Sequence, residues 1–231
     1  MRQIIFILAV LIIGMGFGQQ ASAETVVHQC DVLAANPNDP NKITKGVDSK
    51  TLNSAAAIKA CKQAVRSFPD EVRFQYQLGR AFYKQKDFIN AVKWFRKAAD
   101  QGYVESQHSL GLAYQDGIGV TKDLVEASKW FRKSADQGYV KSQHSLGLAY
   151  QSGIGVTKDL VEASKWFRKA ADQGYKYSQF NLGFAYYYGE GIEKDVGEAY
   201  KLWSKAAEQS IEALKWFQKA AEHGDAYNQY L

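Results

Sequence analysis

Residues 102–137 and 138–173 are one 36-residue string repeated, with changes only at Glu105/Lys141, Asp116/Ser152 and Ser134/Ala170. Nothing else in the chain constrains its fold as tightly. A segment repeated in tandem must end in a surface that fits its own beginning, so that stacking one unit on the next builds the molecule. The string AVKWFRKAADQG from Ala91 returns as ASKWFRKSADQG from Ala127 and ASKWFRKAADQG from Ala163, at 36-residue steps. A blurred copy, AYKLWSKAAEQS from Ala199, keeps the step, and ALKWFQKAAEHG from Ala213 follows after only 14 residues. Two copies this close leave few unique residues from which to build a catalytic centre.

Each unit reads as two helices. The first covers residues 106–115, with Leu110 and Tyr114 four apart on one face and Gly111 between them. The second covers 124–137, where Ala127, Phe131 and Ala135 recur at helical spacing and Trp130 flanks them. Between them, DGIGVTKD has glycines able to take positive φ and Asp123 to cap the second helix, which Gly138 ends. Small Gly111 and Ala127 allow close approach of the pair. One pair buries too little surface to stand alone, whereas stacked pairs share a continuous core. The fold class expected is all-α, a right-handed α-solenoid of antiparallel helix pairs.

The string SLGLAYQDGIGVTKDLVEASKWFRKSADQG resembles the Sel-one-like repeat, a relative of the tetratricopeptide repeat. The resemblance rests on Leu110-Gly111, Tyr114, Gly117-x-Gly119, Asp123, Ala127, Trp130-Phe131, Ala135 and Gly138. The set returns 36 residues later and, less strictly, after 72, through Leu182-Gly183, Gly189-x-Gly191, Asp195 and Trp203. The preceding unit, YQLGRAFYKQKDFINAVKWFRKAADQG, lacks the Gly-x-Gly insertion and looks like an ordinary tetratricopeptide hairpin. This divides the chain into a tetratricopeptide-like unit (70–102), three Sel-one-like repeats (103–138, 139–174, 175–210) and an incomplete repeat (211–231).

Upstream, residues 1–23 read as a secretory signal peptide: Arg2, an apolar run of about 15 residues and a small-residue Ala-Ser-Ala site before Glu24. A short membrane anchor is the alternative, but the run falls below the roughly 20 residues needed to span a bilayer. The expected location is therefore the periplasm or the exterior of a bacterial envelope, with no stable membrane insertion after cleavage. Removing Arg2 takes the formal net charge from +5 to +4, spread without a dense Lys/Arg run, so nucleic acid is not an expected partner. Segment 24–53 is expected to be extended and to carry Cys30; 54–69 is expected to be a capping helix with Cys61. An even cysteine count in an exported chain favours one disulfide over two thiols. The resemblance to exported bacterial relatives implies a Cys30–Cys61 bridge.

No chemistry is evident. His108 and His144 stand 36 residues apart, without a second ligand at metal spacing, and a polar lining role outweighs a metal site. No cofactor is expected. Some cysteine-rich exported relatives are described as β-lactamases, but this chain holds no Ser-x-x-Lys, Lys-Thr-Gly or Ser-Asp-Asn. A cell-wall or β-lactam hydrolase is therefore the second reading, and a non-catalytic scaffold for protein–protein interaction the first.

In a tetratricopeptide-like superhelix the first helix of each unit lines the concave groove, which implies a partner-binding surface. Its residues are Arg73, Tyr76, Arg80, Tyr83 and Lys84 in the first unit, then Glu105, His108, Leu112, Gln115 and Asp116. The third unit supplies Lys141, His144, Leu148, Gln151 and Ser152, and the fourth Tyr177, Phe180, Phe184, Tyr187 and Tyr188. The groove is thus expected to run from basic-aromatic through mixed polar to aromatic, and to take a peptide or partner protein. Because Lys141 stands where Glu105 stands one unit earlier, exchanging Glu105 for Lys is expected to be nearly neutral.

The broken rhythm at the end has its own reading. Ser210 replaces the glycine stop, and residues 198–223 hold neither Gly nor Pro. One long helix from about Asp195 to His223 is expected, the alternative being a separate helix folded back at Ser210. Its uncovered end would be a site for docking or self-association.

Overall fold

The computed structural model describes residues 28–36, 44–48, 50 and 52–208. The signal peptide expected at residues 1–23, and the second half of the long helix expected at the end, lie outside the described residues. Those described form ten helices and no strand: α1 (Gln29–Ala34), α2 (Ser54–Ser67), α3 (Val72–Lys84), α4 (Phe88–Asp100), α5 (Val104–Asp116), α6 (Leu124–Asp136), α7 (Val140–Ser152), α8 (Leu160–Asp172), α9 (Lys176–Tyr188) and α10 (Val196–Glu208). From α2 onward each helix packs on the next, giving the α-solenoid.

Four aspartates start the second helices. Asp87, Asp123, Asp159 and Asp195 each accept a hydrogen bond from the backbone N–H three residues on, at 2.9–3.2 Å. The loop before them is closed by its own ends: Asp123 N–H donates to Tyr114 C=O at 2.9 Å, and Asp159 and Asp195 repeat the bond to Tyr150 and Tyr186. Within a unit, the ring of Phe131 lies against Gly111 so closely that a Cβ there would come within 2.5 Å of it. In the fourth unit Trp203 takes the place of Phe131 and Phe167, and Leu202 that of Trp130 and Trp166.

The fit between units is equally regular. Gly155, at φ +71°, sits on the start of α6, where a Cβ would lie 1.9 Å from Leu124 O. Gln107 donates to Ala99 O of the preceding unit at 3.2 Å and accepts from Gln137 at 2.8 Å; Gln143 does the same with Ala135 and Gln173. Arg96, Arg132 and Arg168 each reach the tyrosine hydroxyl of the following first helix, at Tyr114, Tyr150 and Tyr186. A glutamine rung and an arginine rung thus tie α4, α6 and α8 to the first helix that follows each.

The start of the chain differs from expectation. Residues 29–34 are helical rather than extended, because His28 and Asp31 cap the turn reciprocally: His28 N–H donates to Asp31 at 2.9 Å and Cys30 N–H to His28 Nδ1 at 3.0 Å. Cys30 and Cys61 are bridged, with both residues fully buried. The bridge ties α1 to α2, and α1 also packs on α3.

Candidate interaction groove

The first helices α3, α5, α7 and α9 present the positions expected to line the groove, and their surroundings change from unit to unit. In the first unit most meet the chain's own Asp31, Ala34, Asn36, Val47 or Lys50. Arg80 donates to Ala34 O at 2.6 Å and to Val47 O at 2.9 Å, and Lys84 reaches Lys50 O at 3.4 Å. Arg73 pairs with buried Asp31 at 3.2 Å and with Glu71, and Gln77 also donates to Asp31 at 3.1 Å. The Tyr76 hydroxyl accepts from Asn36 at 3.1 Å, and burial pushes its phenol up to about 12 while neighbouring Arg80 pulls the other way. Val47 N–H donates to Ala35 O at 2.7 Å, which ties this stretch to the end of α1. Tyr83 remains exposed, edge-on to Phe88 at 5.2 Å.

The basic-aromatic end is therefore not an open surface at Arg73, Tyr76 and Arg80. Its side chains hold main-chain carbonyls and one buried carboxylate of the N-terminal segment. A sequence signal for this existed: Asp31 adjoins a cysteine that the bridge brings to α2, next to a helix carrying Arg73 and Arg80. The Cys30–Cys61 bridge expected from the resemblance names α2 as the neighbour of this segment but not α3, on which α1 also packs.

In the middle units the lining residues divide. Glu105 is only 2% exposed and lies close enough to Tyr76 to raise its phenol, whereas Lys141 is half-buried. His108 Nδ1 stands 2.8 Å from Ser142 Oγ, and His144 Nδ1 2.9 Å from Ser178 Oγ, each joining one first helix to the next. His108 packs on Phe131 and Tyr139, His144 on Phe167 and Tyr175. Burial lowers both imidazoles to about 4, with the nearby Lys141 ammonium adding to the effect at His108. Both are neutral connectors at ordinary pH. Gln115 and Gln151 are half-buried, and Leu112, Asp116, Leu148 and Ser152 are exposed.

At the far unit the aromatics separate into packed and open. Phe184 is buried against Trp203 at 5.0 Å and Phe180 at 4.8 Å, and the Trp203 indole N–H donates to Phe180 O at 3.0 Å. Tyr187 also lies against Trp203, at 5.6 Å, while Tyr177 and Tyr188 are exposed.

Two cavities open along this face at equivalent places. One of about 570 Å³ lies between the first and second units, and one of about 430 Å³ between the second and third. The residues Phe88, Phe95, Leu112 and Ile118 in the first correspond to Leu124, Phe131, Leu148 and Ile154 in the second, each 36 positions on. Among the described residues, no group of three or more His, Cys, Asp or Glu side chains is arranged to hold a metal ion. No described helix is long and apolar enough to cross a membrane.

The Sel1 repeat model matches residues 104–139, 140–175, 176–211 and 210–225, more than half of the chain, and a tetratricopeptide repeat model matches residues 50–103. This chain belongs to the Sel1 repeat family. Among solved structures, the Sel1 repeat chain is similar to c5321, a protective antigen of uropathogenic Escherichia coli strains displaying an SLR fold, at 36% identity and TM-score 0.67, over 73% of this chain. It spans 37% of that protein's length. It is also similar to a Sel1 repeat protein of Oxalobacter formigenes, at 33% identity and TM-score 0.63, over 71% of this chain and 72% of that one. A comparison with curated proteins finds no match. Sel1 and tetratricopeptide repeats form scaffolds consistent with protein–protein interaction, and the repeat array here has that architecture.

Proposed function

We propose that this Sel1 repeat chain is an exported, non-catalytic scaffold that binds a peptide or partner segment along the face of its first helices. The observation that carries the reading is the N-terminal segment itself. Arg80 and Lys84, at lining positions, hold main-chain carbonyls of Ala34, Val47 and Lys50. A face that takes peptide backbone from its own chain has donors suited to backbone from another, and the cavities beside it give side chains a place to sit. A rigid repeat array orders these groups in advance, which lowers the entropic cost of association. The buried Cys30–Cys61 pair supports an oxidising location, the periplasm or the exterior. A β-lactam hydrolase has no such support, since the serine motifs are missing from the sequence.

Photo-crosslinking tests the proposal. A crosslinking residue at Leu112 or Leu148, both exposed on first helices, should trap partner protein in the envelope; the same residue at Val125 or Val161, exposed on second helices, should not. Equal trapping at all four sites would reject the groove. Turnover of nitrocefin by the purified chain would reject the non-catalytic reading.

A further inference from the structure

The two inter-unit cavities share their geometry and differ in charge. Lys50, Arg80, Lys84 and Lys86 line the first against a single carboxylate, Asp116. The second sets Lys122 against the same Asp116 and is otherwise polar or apolar, with Gln115, Ser145 and Ser152. Where α3 gives the first cavity Tyr83 and Lys84, α5 gives the second Gln115 and Asp116. Lys50, Lys84 and Lys86 are exposed, and none of the three forms an ion pair among the described residues. Beneath this rim the lining is apolar, with buried Val92, Phe95 and Ala113 as its floor and exposed Leu112 as a wall. Its volume of about 570 Å³ falls within the range of clefts that seat a bulky group, roughly 300–1,000 Å³.

We infer that the first cavity selects an acidic peptide that seats one large apolar side chain on Val92, Phe95 and Leu112 and sets its carboxylates on Lys50, Lys84 and Lys86. The inference rests on the proposed groove function and names the class of partner. Peptide carbonyls are already held next door, where Arg80 and Lys84 take those of Ala34, Val47 and Lys50. Complementary charge at a rim sets which partner docks and how fast, and an apolar floor supplies burial that holds it. A basic peptide would meet the lysines in repulsion, and an acidic peptide without a bulky apolar residue would leave the floor empty.

The test pans a displayed library of random peptides, about a dozen residues long, on the oxidised full chain, and measures the enriched sequences by fluorescence anisotropy. Two variants accompany it, each checked for helix content and a cooperative melt. Lys84→Glu/Lys86→Glu reverses the rim of the first cavity, and Leu112→Arg/Leu148→Arg changes a wall of both. The inference expects enriched peptides to be acidic around a bulky apolar residue and to bind the lysine variant at least about tenfold more weakly, with affinity falling as salt rises. Peptides sensitive to the leucine variant but indifferent to the lysine one, or neutral or basic in composition, would overturn the inference and leave the groove function standing. Peptides indifferent to both variants, or no enrichment, would overturn both.

Discussion

Two glycines with similar backbones show how differently one residue type can be used. Gly138 has φ +90° and open space, with no atom within 4 Å, where a side-chain methyl would sit; Gly155 has φ +71° and Leu124 O only 1.9 Å from that point. Gly138→Ala should therefore cost only the left-handed penalty, about 1 kcal/mol, while Gly155→Ala must also push two units apart and should cost more than about 3 kcal/mol. Urea melts of the two variants measure the difference, and equal losses would mean that the loop does not bear on α6. Glu105 carries the opposite lesson. The string equates it with Lys141, yet Glu105 is buried and Lys141 is not, because Tyr76 stands in the preceding unit where His108 stands for Lys141. Glu105→Lys is thus expected to lose about 2–4 kcal/mol rather than to be neutral. The two histidines make stability depend on pH. Each is held near 4 when packed, against 6.5 ordinarily, so the unfolded chain takes up more protons between those values. Their contribution is whole above about pH 6.5, declines as pH falls through the window, and levels off below about 4, with a loss of roughly 3 kcal/mol for each histidine. Denaturant melts between pH 7 and 4 should show this slope, and His108→Gln/His144→Gln should flatten it.

At the scale of elements, the helix pairs were legible because their signals are local. The Asp caps, the Gly-x-Gly loops and the 3.6-residue spacing of Ala127, Phe131 and Ala135 all lie within a dozen residues of what they determine. The N-terminal segment was not legible in the same way. Its place depends on Arg80 meeting Ala34 and on Gln77 meeting Asp31, each 46 residues apart, and no periodicity encodes such contacts. The aromatic run at the fourth unit was only half legible. Spacing put Phe184 and Tyr188 on one helical face, but the shift from Trp-Phe to Leu202-Trp203 moves the indole under Phe184, which buries one ring and leaves the other exposed. The bridge between α1 and α2 invites a direct test. It closes a loop of 31 residues, for which chain entropy gives about 3–4 kcal/mol. Cys61→Ser should lower stability by about that amount, and labelling of the unreduced wild-type chain should find no reactive thiol at either position. A variant as stable as the parent would mean that α1 is held by Asp31 and Arg80 alone.

For the whole molecule, the contacts between units matter more than the units. Those of α5 and α6 toward the next pair recur in α7 and α8: His108 with Ser142 returns as His144 with Ser178, Arg132 with Tyr150 as Arg168 with Tyr186, and Ser128 with Ile154 O as Ser164 with Glu190 O. Removing residues 139–174 would set the second unit directly against the fourth, and every one of these partners would still be present. The shortened chain is expected to fold, with a cooperative melt at a lower temperature and helix content reduced in proportion; a collapsed or aggregated product would show that the third unit does something the second cannot. The same periodicity has a meaning for inheritance. A misaligned exchange between two copies of the gene, in the stretch that encodes these near-identical units, would add or remove a whole unit in frame. The product would arrive with its internal seams already matched, so the array can change length in a single genetic event while the disulfide-bonded start stays as it was.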